Sequence, residues 1–285
     1  MNNRSISEDL FLTHAVRVAP ADTPFWYTSG KLGPFYINTH FIIKDEATAN
    51  DFLKKIETYI AEDKKTFPHK IFLDLLKVYE ESETFKMITD LITAKLSEYD
   101  FDYVSGGERR DFFFSILPSY FLAKPHLSIF KDGTSVYSTE NFEITKDSSE
   151  VDLKGLKAIH VADLITEASS YVRAWIPAIR GLGSDITNTV AVIDRHQNGE
   201  ANLKELGVSM ETFAGIDKSL FDEALSLGAI NQQQYDLTMK FLADPSEYMA
   251  SFLKEHPNFI KEQIALGGKA KERAELAISK GYASV

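Results

Sequence analysis

The sequence predicts an α/β fold, a mainly parallel sheet flanked by helices, and three observations predict it. Short apolar runs of strand length recur at residues 103–104, 126–130, 158–162 and 189–193. Helical stretches, 112–122 and 169–182, stand between them. Two of the strands run into turns of glycine, hydroxyl and charged residues that open a helix. Strands alternating with helices in this way form βαβ crossovers, which set the strands side by side in parallel.

Taken in order, residues 1–45 are rich in aromatics and turn formers: Phe25, Trp26 and Tyr27, then Ser29, Gly30, Gly33 and Pro34, then Phe35 and Tyr36. This pattern predicts short strands joined by turns. Over 46–98 the period is helical. Phe52, Ile56, Tyr59 and Ile60 share a face, a break falls around 67–69, and the pattern returns at Ile71, Leu75, Leu76 and Tyr79 and again at Ile88, Leu91, Ile92 and Leu96. The polar stretch 131–150 predicts a long loop or hairpin, of a kind that is often mobile. After Gly199 the sequence is mostly helical up to its last residue, with 210–216 as one more strand at the sheet edge.

Composition narrows the function. A chain of 285 residues can bury one sizeable core with appendages, or two small ones. Its net charge of −11 repels phosphate backbones and disfavours nucleic acid. A small anion can still bind through local backbone N–H groups, a few Arg or Lys, and a metal ion. No run nears the roughly 20 apolar residues of a membrane span, and acids stand where an N-terminal signal would be apolar. Cysteine is absent, which excludes disulfides and thiolate zinc sites. These features predict a cytoplasmic protein without nucleic-acid or membrane partners.

The most informative segment is His160-Val161-Ala162-Asp163-Leu164-Ile165-Thr166-Glu167-Ala168-Ser169-Ser170. An apolar strand ends in an acid, and hydroxyl residues then open a helix. Unpaired N–H groups at a helix start suit a phosphate, and Thr166, Ser169 and Ser170 add hydroxyl donors. The same layout fits an ordinary capped helix after a core strand. Ser105-Gly106-Gly107-Glu108-Arg109-Arg110 repeats it with a glycine pair, which lets backbone approach a ligand, and with arginines that fork onto phosphate; a glycine turn followed by solvated charges reads equally. Asp194-Arg195-His196-Gln197-Asn198-Gly199 imitates a calcium loop, but His196 spoils its third position and a strand precedes it; an arginine at the mouth of a sheet is the better functional reading. His160 reads as a packing residue. Glu46, Glu57, Glu80, Glu81 and Glu83 read as solvated helix faces.

In their order along the chain these segments resemble the type I phosphoribosyltransferases, most nearly orotate phosphoribosyltransferase, over roughly residues 23–200. The stretch Thr28-Ser29-Gly30-Lys31-Leu32-Gly33-Pro34-Phe35-Tyr36 looks like the family's early Ser-Gly, Pro and aromatics, although Thr28 stands where the family has Lys. The resemblance implies an N-terminal hood over 1–45, a phosphoribosyltransferase core with a helical segment over 46–200, and a mainly helical C-terminal extension over 201–285. It implies phosphoribosyl transfer between phosphoribosyl pyrophosphate (PRPP) and a nitrogen base, an orotate-like pyrimidine, with release of pyrophosphate and with Mg²⁺ as cofactor.

By the same resemblance, Asp163 and Lys131 are catalytic, and Asp163 also holds the metal. Arg109, Arg110, Thr166, Glu167, Ala168, Ser169 and Ser170 bind PRPP. Phe35, Tyr36, Lys31 and Arg195 bind the base. A homodimer is implied too. The signature loop departs from the family at three places: its first acid is Ala162, its glycine is Ala168, and Glu167 stands where a small residue is usual. Those departures motivate an alternative, a non-catalytic nucleotide- or PRPP-binding regulator on the same fold. A third reading makes the helices of 46–98 and 217–285 a surface for protein partners.

Overall fold

The computed structural model describes residues 5–284; readings that touch residues 1–4 and 285 lie outside them. In chain order the elements are α1 (Ile6–Leu12), β1 (Val16–Val18), β2 (Phe25–Trp26), β3 (Leu32–Gly33), β4 (Phe35–Ile37), α2 (Glu46–Glu62), α3 (Phe67–Glu81), α4 (Glu83–Leu96), β5 (Tyr103–Gly107), α5 (Phe112–Phe121), β6 (His126–Ile129), β7 (Ser135–Ser138) and β8 (Thr145–Asp147). There follow β9 (Lys157–Ile165), α6 (Ile176–Gly181), β10 (Asp185–Asp194), α7 (Gly199–Glu205), β11 (Ser209–Gly215), α8 (Lys218–Ser226), α9 (Gln232–Ala243), α10 (Pro245–Glu255), α11 (Phe259–Leu266) and α12 (Gly268–Ser279).

The chain groups into two compact units. One comprises Thr39–Ile216 with the segment ending at Ala15; the other joins Val16–Asn38 to the stretch from Asp217 onward. Most of the expected hood and most of the expected C-terminal extension therefore fall in one unit.

The first unit is built on a seven-stranded sheet in the order β11-β10-β9-β5-β6-β7-β8. From β11 to β6 every neighbour is parallel, and β7 and β8 add an antiparallel pair at one edge. The polar stretch 131–150 is thus a hairpin on the sheet, and β11 is the edge strand expected at 210–216. β9 and β10 read as near-continuous apolar runs because a parallel strand between helices is covered on both faces. Helix α5 opens with Phe112, Phe113 and Phe114, none of them exposed, and a helix apolar all round must be buried. The amphipathic helices that cover it supply the lid of that core: Phe67 of α3 lies 4.9 Å from Phe112, and Phe52 of α2 lies 5.9 Å from Phe113.

The second unit pairs β1 with β4 and β2 with β3, both antiparallel, and packs Leu32 with Met249, Phe252, Phe259 and Ile260. Gly30 turns the chain between β2 and β3 at φ +84°, and a Cβ there would sit 3.1 Å from Leu276 Cγ, so both conformation and space require glycine. Among the described residues no helix is long and apolar enough to cross a membrane.

Candidate active site

The sheet has a switch point. From β5 the chain moves to β6 on one side, and from its neighbour β9 it moves to β10 on the other. Loops leaving the carboxyl ends of two such strands diverge and leave a crevice between them, where open α/β sheets bind ligands. A cavity of about 480 Å³ lies there. It is lined by Glu108, Arg109, Arg110 and Asp111 after β5, by Lys131 after β6, and by the β9 end and the turn that follows, from Ala162 to Ser170.

The turn after β9 keeps the form its hydroxyl residues suggest. Helical structure opens at Ser169, the N–H of Val172 donates to the Ala168 carbonyl at 3.1 Å, and a π-helical turn, Tyr171–Trp175, runs into α6. Ser169 and Ser170 are exposed on the cavity side of that helix start, where N–H groups lack intrahelical acceptors. Ala168 is held at φ +56°, a left-handed conformation that glycine adopts freely and alanine does not. The backbone thus retains the shape of the glycine turn although the glycine is gone. Asn202 of α7 fixes it from behind, its Nδ2 donating to the Glu167 carbonyl at 2.9 Å.

The glycine pair after Ser105 has a different role from the one its sequence suggests. Gly106 and Gly107 belong to β5 and are buried; a Cβ on Gly106 would strike Ser115 Oγ, and one on Gly107 would strike the Trp175 ring. The close approach is to protein, and the cavity wall starts one residue later, at Glu108. That carboxylate accepts the Lys131 N–H at 3.0 Å and lies 3.4 Å from the Lys131 ammonium. Arg109 is ion-paired with Glu57, which is therefore more than a solvated face. Arg110 is the one of these three cations without an ion pair among the described residues. Beside it His40 is held down to about 3, first by burial and then by the charges of Arg110 and Arg109, so it stays neutral and the positive charge is the arginines' own.

Beneath the cavity runs a chain of buried polar groups. The β5–β9 register sets Ser105 opposite His160, and Ser105 Oγ lies 2.9 Å from His160 Nδ1. His160 Nε2 lies 3.3 Å from Asp111 Oδ2, and Asp111 Oδ1 accepts the Asp163 N–H at 3.1 Å. His160 is packed as expected, its ring 5.0 Å from Tyr171 and stacked 5.9 Å from Trp175. The Asp163 carboxyl is pushed up to about 7, first by burial and then by the neighbouring Asp111 charge, with Arg110 opposing. Its Oδ2 is buried and has no hydrogen-bond partner among the described residues.

Among the described residues no three His, Asp, Glu or Cys side chains converge as a self-sufficient metal cage. One or two carboxylates with an unfilled lone pair suit instead a hard divalent ion that completes its shell with water and ligand phosphates, so the residues present fit such an ion.

Of the residues singled out from sequence, Arg109, Arg110, Lys131, Asp163 and Thr166 to Ser170 meet in this cavity. Arg195 follows β10, donates its N–H to the Ile165 carbonyl at 2.9 Å, and is not part of the cavity wall. Phe35, Tyr36 and Lys31 belong to the second unit. There Phe35 is buried 5.2 Å from Phe221 and 5.4 Å from Phe241, Tyr36 is exposed, and the Lys31 ammonium lies 5.3 Å over the Tyr282 ring. Sequence reasoning missed Asp111 and the linkage through His160. The available signal was an acid set directly before a mainly apolar helix.

Fold and cavity define an α/β protein with a helix-opening turn of hydroxyl residues and a set of cations at the switch point of its sheet. Over 120 residues the chain is 32% identical to an adenine phosphoribosyltransferase of Thermosipho africanus (strain TCF52B), covering 39% of this chain and 70% of that one. No family model matches it. Among solved structures it superposes on UMP synthase of Leishmania donovani with a TM-score of 0.56 at 19% identity, over 84% of this chain but only 41% of that one. On orotate phosphoribosyltransferase of Francisella tularensis the TM-score is 0.50 at 12% identity, over 82% and 95%. These two likenesses concern the fold. The chain belongs to the type I phosphoribosyltransferase family.

Proposed function

We propose that the cavity binds PRPP and that the protein transfers its phosphoribosyl group to a nitrogen base, releasing pyrophosphate. The observation that carries the reading is the convergence of Arg109, Arg110 and Lys131 with the helix-opening turn Thr166 to Ser170 and the buried Asp163 around one switch-point cavity. In this reading the N–H groups and hydroxyls of Thr166, Ser169 and Ser170 hold the 5′-phosphate, and Asp163 holds ribose hydroxyls. As the bond from ribose C1 to pyrophosphate lengthens, Arg110, Arg109 and Lys131 neutralise the charge that gathers on the leaving group. Arg109 and Lys131 exchange Glu57 and Glu108 for the pyrophosphate to do so. Mg²⁺, held by Asp163 and by substrate oxygens, supplies further neutralisation when bound.

The base contacts of Phe35, Tyr36, Lys31 and Arg195 and a homodimer rest on the family resemblance, and a cytoplasmic setting on composition alone. An orotate-like pyrimidine is the base proposed from the 28–36 stretch and Asp194-Arg195. Adenine is the second reading, favoured by the named activity of the Thermosipho relative. The test is pyrophosphate release by the purified full chain with PRPP and Mg²⁺, offered orotate, adenine and other bases in turn, with calorimetry of PRPP binding alongside. Turnover with one base supports the reading and selects that base. Binding without turnover supports the regulatory alternative, and absence of both overturns the reading.

A further inference from the structure

The chain lacks the first acid of the signature pair, Ala162 being in its place, yet the cavity floor is not short of a second carboxylate. Asp111, from the loop after the adjacent strand, is 7% exposed and Asp163 8%, and both line the cavity. Asp111 Oδ1 accepts the Asp163 N–H at 3.1 Å, while its Oδ2 is steadied 3.3 Å from His160 Nε2, itself backed by Ser105.

Satisfying the Asp163 N–H needs only one acceptor oxygen, which an amide would supply as well as a carboxylate. Asp111 precedes α5, but its side chain does not cap that helix. Two buried carboxylates side by side repel one another, and the arrangement leaves Asp163 Oδ2 without a hydrogen-bond partner among the described residues. Buried polar atoms in a settled core find partners, so an orphan at the wall of a cavity points to a ligand that supplies one. A divalent cation or a sugar hydroxyl would do so, and either would also relieve the repulsion.

We propose that Asp111 is the second carboxylate of the site: with Asp163 it holds the ribose hydroxyls and the divalent ion of Mg²⁺–PRPP, in the role left empty at Ala162. His160 is a positioning residue that orients Asp111 from behind. The inference rests on the phosphoribosyl reading and names a residue that the family resemblance does not supply.

The experiment is calorimetry of PRPP binding to the full chain across a series of Mg²⁺ concentrations, for the wild type and for Asp111→Asn, with urea denaturation of both in the absence of ligand. Asp111→Asn is expected to weaken Mg²⁺–PRPP binding at least about tenfold and to flatten its dependence on Mg²⁺, while the ligand-free protein is no less stable than wild type. Asp111→Glu, which keeps the charge but displaces it, should fall between the two. Binding by Asp111→Asn within about threefold of wild type with the same Mg²⁺ dependence overturns the proposal. So does a loss of affinity that only follows a loss of folding stability. A wild type that binds no PRPP overturns the phosphoribosyl reading, and this inference with it; a wild type that binds while Asp111→Asn is unaffected overturns this inference alone.

Discussion

The backbone N–H of Asp163 donates to Asp111 Oδ1 at 3.1 Å, which puts two acids separated by 52 residues in one buried corner. The corner has a thermodynamic signature. Asp163 is pushed up to about 7 from its ordinary 3.8 by burial and by Asp111. Because the folded value lies above the unfolded one, its contribution to stability is fully present below about pH 4 and is lost as pH rises through about 7. Ligand-free wild type should therefore lose stability relative to Asp163→Asn across that window, by up to about 1.4 kcal/mol per pH unit, with no further change above about pH 8. Denaturant titrations of both proteins across the range measure it, and a difference independent of pH would contradict the assignment.

The two arginines should not contribute equally. Arg109 is engaged with Glu57, whereas Arg110 has no ion pair to give up among the described residues. Arg110→Ala is expected to weaken PRPP binding by about 10- to 100-fold, as for loss of a charge-assisted hydrogen bond. Arg109→Ala should cost only a few-fold, and Glu57→Gln should strengthen binding slightly. Equal losses for the two arginines, read by calorimetry at one salt concentration, would show that the Glu57 pair does not persist in solution.

Ala168 stores strain in the turn. The left-handed conformation costs a non-glycine residue about 1–2 kcal/mol. Glycine would relieve that but would lose a buried methyl worth about 0.8 kcal/mol and gain freedom in the unfolded chain worth about 0.4–1 kcal/mol. Ala168→Gly is accordingly expected within about 1 kcal/mol of wild type. Ala168→Val, with a branched Cβ at the same φ, should lose more than about 2 kcal/mol in urea denaturation.

Gly107 tests whether the glycine pair serves packing. Gly107→Ala drives a methyl into the Trp175 ring, and overpacking of this kind costs about 1–3 kcal/mol. Combining it with Trp175→Leu, which vacates that space, should cost less than the two single changes added together. Strict additivity would mean that the methyl finds room elsewhere.

The 160–170 turn was legible because its whole message lies in consecutive residues: an apolar strand, an acid, hydroxyls and a helix start. The alternation of strands and helices was legible for the same reason. The pairs Asp111–Asp163 and Arg109–Glu57 were not, because each joins segments more than fifty residues apart that only the sheet and its covering helices bring together. Gly106 and Gly107 did announce a close approach, but sequence cannot say whether a ligand or Trp175 is what approaches. The polar stretch 131–150 leaves loop and hairpin open in sequence because its strands lie at a sheet edge. Of β7 only Val136 and Ser138 are fully buried, with Tyr137 half-buried against Tyr103 on the other face, so the strand carries little of the apolar alternation by which strands are recognised. The union of 16–38 with the C-terminal helices depends on contacts such as Phe35–Phe221 that no local pattern encodes.

β5 and β9 are direct neighbours in the ladder, about 5 Å apart where they pair as far as Ser105 and His160, and the segments that follow both strands line the same cavity. Over so short a gap, a side chain rooted on either strand can reach the same few cubic ångströms. With Asp111 in the proposed role, the framework fixes where a negative charge stands and is nearly indifferent to which loop delivers it. An acid can thus vanish from one segment and reappear in the next, while the hydrogen-bonded scaffold underneath needs no repair.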